Sequence, residues 1–552
     1  MIKRYILITI LLGFLSGIAF AQLSFDKTAA FTKDDTLRGS ITPQRSWWDL
    51  TYYELRERAY PDSQFVSGST TIQYKVLKNY QVMQIDLQPP MRFISATQDG
   101  KELKFDRVGT NAYFINLEKQ QTPGNMETVV VSFDGRPVNP RRPPWDGGIQ
   151  WQKDKNGFDF VATSCQGLGS SIWWACKDHM YDEPDSMLIS MTAPRPLTVV
   201  SNGRLRSVVD NKDRTQTFNW FVDNPINNYG VNMNIGFYAH FSDTLNGEKG
   251  VLDLNYYVLR YNLEKAKEQF KQAKLMLRAF EHWFGPYPWY EDGYKLVEVP
   301  YLGMEHQSSV TYGNEYMNGY LGNDLSGTGW GLKWDYIIIH ESGHEWFANN
   351  ITYKDIADMW IHEGFTYYSE CLFTEYYYGK EAGSDYIIGS RRGIRNKTPI
   401  IGTYNVNKEG SGDMYNKGGN MLHTIRQIFN DDEKWRQTLR GLNKDFYHSV
   451  VTTQQIENYI SEKSGRNLSK VFDQYLRDIR IPILEYKLEK GTLKYHWTSC
   501  VDGFDMPMKI SSDVGKYEFI YPTAEWKTLS VKGEKIPVFD RNFYVEVKEV
   551  KE

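Results

Sequence analysis

Two histidines four residues apart, His340 and His344, enclose Glu341, and eighteen residues separate His344 from a further carboxylate, Glu363. No other feature of this chain restricts its fold so tightly. On a helix, positions i and i+4 lie on one face, so both imidazoles can close on one ion with Glu341 beside them. Two imidazoles and one carboxylate match a catalytic zinc site with three protein ligands and one open position, as against a closed four-ligand structural site. The open position is where water is activated, and one zinc per chain is expected.

The residues around the block support that reading. Ile337, Ile338 and Ile339 make the first helix a buried one, and a buried Glu341 needs a partner. Gly343 costs a helix about 1 kcal/mol against alanine, which close packing beneath a metal would explain. The spacing predicts a helix from Trp334 to Asn349 and a second from Met359 to Tyr378, capped by Asp358 and stopped by Gly379. Both ends of the ligand set then fall on consecutive helices.

Lys plus Arg number 64 and Asp plus Glu 68, a net charge of -4, so no basic field draws nucleic acid and no such partner is expected. Lys3 and Arg4, an apolar run from Tyr5 to Phe20 and the triplet Ala19, Phe20, Ala21 read as a signal peptide over 1–21. The mature chain is expected to start at Gln22, to be periplasmic or secreted, and to have no stable membrane insertion after cleavage. Export permits disulfides, and Cys165 with Cys176 is the nearest pair among four cysteines; free core thiols are an equally good reading.

Short alternating runs, such as Thr70 to Val76, Val82 to Leu87 and Thr128 to Phe133, predict antiparallel strands over an N-terminal β-domain, 22–245. The period then changes. Leu263 to Phe284 has helical spacing ended by Gly285, and helices are expected after Tyr415 and within 453–480, so 246–480 forms a mostly helical catalytic domain. Alternation returns in Leu484 to Leu488, Lys516 to Tyr521 and Phe543 to Val547, predicting a small β-sandwich over 481–552. The fold class is therefore a multidomain α+β.

His340 to His344, the following Trp346, Phe347 and Asn349, and Trp360 to Phe365 together resemble the M1 family of zinc aminopeptidases. Leu302 to His306 is similar to that family's GAMEN segment, and Tyr415 with Lys417 and Gly418 to its catalytic tyrosine segment. Cys165, Gln166, Ala175, Cys176 and Asp182 to Pro184 resemble the end of its N-terminal domain. The resemblance implies a saddle-shaped β-domain ahead of a thermolysin-like catalytic domain. It further implies that His340, His344 and Glu363 hold zinc, that Glu341 is the general base and that Tyr415 donates to the oxyanion. Glu305 would bind the free amine of a peptide substrate, Gln166 would assist it, and Gly303 and Met304 would line the backbone path. Glu370, two turns beyond Glu363, would orient a zinc-bound histidine. The extra imidazoles His306 and His362 are expected to be structural or to touch substrate. Alternatives are a zinc endopeptidase of the same class and a non-catalytic binding scaffold on the same fold.

Overall fold

The computed structural model describes residues 30–513, 516–531 and 536–551; the expected signal peptide at 1–21 and the start at Gln22 lie outside them. A short helix, α1 (Lys33–Gly39), is closed by a reciprocal cap between Thr32 and Asp35. The alternating runs that follow build an eight-stranded sheet. Its order is Arg204–Asp210, Thr215–Val222, Ser186–Pro194, Trp48–Tyr60, Phe65–Val76, Met126–Gly135, Arg92–Gln98 and Lys101–Glu102. It is antiparallel except where Trp48–Tyr60 lies parallel to Ser186–Pro194, a junction that local alternation does not reveal. A four-stranded sheet beside it ends one strand, Asp159–Ser164, two residues before Gln166.

The second sheet system is mixed. Strands β1 (Tyr238–Gly247) and β2 (Gly250–Leu259) form a hairpin, β2 runs parallel to β3 (Tyr294–Glu298), and β4 (Gly303–Met304) lies at the far edge against β5 (Val310–Tyr312). The division expected between 245 and 246 thus falls inside a hairpin whose two strands share one sheet. The helix expected over Leu263–Phe284 is broken at Phe270, leaving Leu263–Gln269 and α2 (Lys271–Phe284). The break seats the Phe270 ring edge-on to Tyr312, with centroids 5.0 Å apart.

Helices α3 (Tyr336–Gly343), α4 (Trp360–Tyr378), α5 (Lys380–Gly389) and α6 (Asn416–Phe429) pack behind this sheet. Two small sheets follow, one holding Ile483–Glu489 and Thr492–Thr498, the other Met508–Asp513 and Lys516–Ile520. One apolar cluster runs unbroken from Leu245 to Tyr544, so the C-terminal strands share the helical core. The strand expected at Phe543 begins only at Glu546. Phe543 and Tyr544 are buried instead, and the Tyr475 hydroxyl donates to the Tyr544 carbonyl at 2.7 Å. Among the described residues no helix is long and apolar enough to cross a membrane.

Candidate active site

Helix α3 starts where the Asp335 carboxylate accepts from the amides of Ile337 and Ile338, at 3.1 and 3.3 Å. It ends at Gly343, six residues short of the expected Asn349. Beyond His344 the backbone leaves helical geometry at Phe347 and Ala348. That break brings the Phe347 carbonyl to His344 Nδ1 at 3.0 Å. A carbonyl only accepts, so Nδ1 carries the proton and Nε2 keeps its lone pair for a metal. For His340 the equivalent partner is Glu370, whose Oε1 lies 2.6 Å from Nδ1 while the Tyr386 hydroxyl of α5 donates to its other oxygen.

The expected cap of α4 is not formed. Met359 occupies the cap position, and Asp358 accepts instead from the Thr453 amide and hydroxyl at 3.1 and 2.6 Å. A Cβ on Gly343 would stand 2.7 Å from Ser369 Oγ and 3.1 Å from Thr366 Cγ2, so the missing side chain lets α3 and α4 touch. This contact carries Glu363 to the imidazoles.

Glu363 Oε2 lies 3.4 Å from His344 Nε2 and 3.7 Å from His340 Nε2. It is buried without a hydrogen-bond partner among the described residues. Ligands bound tetrahedrally at zinc bond lengths stand about 3.3–3.5 Å apart, so this donor set fits zinc, whose charge would also compensate the orphaned oxygen. Burial opposes ionisation of Glu363, and the adjacent imidazoles, His344 first, outweigh it, holding the carboxyl below its usual range. Glu341 shows the opposite balance. Burial pushes it up to about 7 against the charge of His340.

Strand β4 passes directly over α3. A Cβ on Gly303 would lie 2.6 Å from Ile337 Cγ2 and 3.4 Å from Glu341 Cγ, so this glycine answers to packing inside the protein. Met304 is turned into the apolar cluster of the N-terminal β-region. Glu305 follows, buried, with its carbonyl held by Asn349 Nδ2 at 2.9 Å. One amide links the carboxylates: Gln166 Nε2 donates to Glu305 Oε1 at 2.9 Å and to Glu363 Oε1 at 2.7 Å. Donor atoms of Glu305, Glu341 and His344 lie within 4.8 Å of one another.

Tyr415 immediately precedes α6. A Cβ on Gly418 would come 3.1 Å from Gly364 Cα, so α4 and α6 meet backbone to backbone and set Tyr415 beside Glu363. The Tyr415 ring lies 6.2 Å from that of His340, inclined 25°. Burial first, then the charge of Glu363, keeps the phenol protonated far above its ordinary range.

His306 and His362 have partners of their own, and His362 lines the cavity that Gln166 and Glu305 also line. His306 Nδ1 lies 3.2 Å from Thr311 Oγ1, and His362 Nε2 accepts from the Tyr353 amide at 3.1 Å with the two rings stacked 4.1 Å apart. Cys165 and Cys176 are free, buried thiols. The Phe347 carbonyl, Thr366, Tyr386 and the Asn349 amide are site partners that sequence reading did not assign.

Residues 268–475 match the model of the Peptidase family M1 domain. Probable aminopeptidase 2 of Sulfurisphaera tokodaii is 21% identical over 470 residues, 82% of this chain and 52% of that protein. The chain spans about half the length of that relative and of probable aminopeptidase 1 of the same organism, of which it covers 53%. In three dimensions it is similar to an M1 zinc metallopeptidase from Deinococcus radiodurans, with a TM-score of 0.66 and 19% identity over 79% of this chain and 94% of that one. A variant of the latter bound to a Tyr-Ser-Ala substrate gives a TM-score of 0.65 at 19% identity, covering 80% and 96%.

Proposed function

The chain carries a Peptidase family M1 domain over residues 268–475, and from that premise we propose that it is a zinc-dependent aminopeptidase removing the first residue of peptides. The observation that carries this reading is Glu305, a buried carboxylate bridged by Gln166 to the ligand Glu363. An ammonium group seated there stands next to the metal ligands, so only the first peptide bond comes into register. Zinc held by His340, His344 and Glu363 would supply a Lewis acid for the scissile carbonyl and an acidified water.

The chain's own groups do the rest. Glu341 takes a proton from the attacking water on a carboxylate oxygen and passes it to the departing amine nitrogen. Its elevated pKa suits a group that must both accept and give. The Tyr415 hydroxyl donates to the oxygen that becomes negative. Glu370 and the Phe347 carbonyl keep each histidine in the tautomer that presents Nε2. The Tyr-Ser-Ala substrate bound to the Deinococcus radiodurans variant supports short peptides as the class of substrate.

Aminoacyl amides and their N-acetylated counterparts, assayed with and without a chelator, test this directly. Acetylation is expected to abolish cleavage, and the chelator to do the same until zinc is restored. Undiminished cleavage of acetylated peptides would establish an endopeptidase instead. Residues 1–21 are read as an export signal, and N-terminal sequencing of the native protein should begin at Gln22; retention of Met1 overturns it.

A further inference from the structure

The loop that leads into Tyr415 is clamped to the N-terminal region. Asn407 donates its backbone N–H to the Asp35 carbonyl at 3.0 Å and its side-chain amide to the Gly167 carbonyl at 3.3 Å. Gly39 of α1 packs so tightly that a Cβ there would fall 2.0 Å from the Val406 carbonyl carbon. The loop therefore holds a fixed place next to Gln166 and Gly167.

On it stands Glu409. Its Oε2 lies 3.7 Å from where a Cβ on Gly167 would be, one residue beyond the amide that touches Glu305. Among the described residues no N–H, hydroxyl or cation hydrogen-bonds or pairs with this carboxylate. The groups whose charge it feels, or that feel its own, are Glu363, Tyr353 and Tyr415, all of them acids. Arg38, a cation on the same side, is committed to the Leu168 carbonyl and to Asp178 at 3.9 Å. Burial raises the Glu409 carboxyl to about 7, and the charge of Glu363 adds to the effect. Such a carboxylate is stabilised when a positive charge arrives.

Glu305 and Gln166 already provide for the substrate's ammonium group. The first side chain can bring a second cation, because it branches from the Cα that carries the ammonium and Gly167, next to Gln166, has no side chain of its own to stand before Glu409. We propose that Glu409 receives the cationic head of a first-residue lysine or arginine and makes such N-termini the preferred substrates. The assignment rests on the aminopeptidase reading.

The full-length zinc-loaded protein would be assayed on the aminoacyl-coumarin amides of arginine, lysine, methionine and norleucine. Arginine and lysine are expected to exceed the two uncharged residues at least tenfold in kcat/KM. Glu409→Gln is expected to cut the arginine-to-methionine ratio tenfold or more, chiefly through KM. A ratio unchanged within twofold overturns the proposal, and so does an equal loss on all four substrates, which would place Glu409 on the ammonium instead. Should the variant fail to fold, lysine amide and norleucine amide serve as competing inhibitors of the unaltered protein. Lysine amide is expected to bind at least tenfold more tightly, and equal inhibition overturns the assignment. A protein that cleaves methionine and norleucine amides yet shows no preference for charge loses only this inference, whereas one that cleaves none of the four loses the aminopeptidase reading with it.

Discussion

Glu341 and Tyr415 stand beside the same metal ligands and are expected to fail differently when changed. Glu341→Gln keeps the shape but cannot take a proton, so kcat/KM should fall by about 10²–10⁴ while metal analysis still finds one zinc per chain. Turnover at the unaltered rate would sink the mechanism. Tyr415→Phe removes only a donor, and kcat should fall by about 10²–10³ with KM within a few-fold. Glu370→Ala belongs to a third kind, weakening zinc about 10–100-fold in a competition titration. The ligand set was legible because a helix places i and i+4 together, whereas for Glu370 the spacing offered only a shared face with Glu363 and its role came from the family resemblance. The Phe347 carbonyl was not, since a backbone acceptor becomes free only where the helix breaks, and side-chain pattern is silent on that.

Packing between elements depends on positions without side chains. Gly343→Val would place a Cβ 2.7 Å from Ser369 Oγ and press α3 away from α4. Overpacking of this kind costs about 1–3 kcal/mol. Because Glu363 rides on α4, zinc affinity is expected to drop while helix content by circular dichroism stays near the unaltered value; unchanged affinity would contradict the role given to this contact. The glycine was readable as a close approach, yet the length of its helix was not. Apolar spacing continues through Trp346 and Phe347, but tertiary demands on His344 end the helix earlier. Asp358 likewise has the sequence of a cap, and the later Thr453 claims it.

Across the whole molecule, alternation revealed the strands and the change of period revealed the helical region. It could not reveal the parallel junction at Trp48–Tyr60 or the hairpin that joins both sides of residue 246, because partners distant in sequence decide those. The large sheet also buries Glu57 with neither carboxylate oxygen hydrogen-bonded, and burial raises its pKa well above normal. The folded state thus keeps a proton that the unfolded chain releases above its ordinary carboxyl pKa. Stability is lost as pH rises through that range, and Glu57→Gln should raise the apparent Tm by about 2 °C or more at pH 8, with little gain at pH 4. A gain equal at both values would refute the assignment. The hydrogen bond from Gln166 to Glu363 closes a span of 197 residues, and that from Asn407 to Asp35 a longer one. Such closures are slow to form, so the site that joins Gln166, Glu305, Glu363 and Tyr415 is completed only after the helices carrying its later members are in place. Regain of the proposed hydrolysis during refolding should trail regain of the far-ultraviolet helix signal, and the lag is the time the molecule spends folded in parts with this site still unassembled.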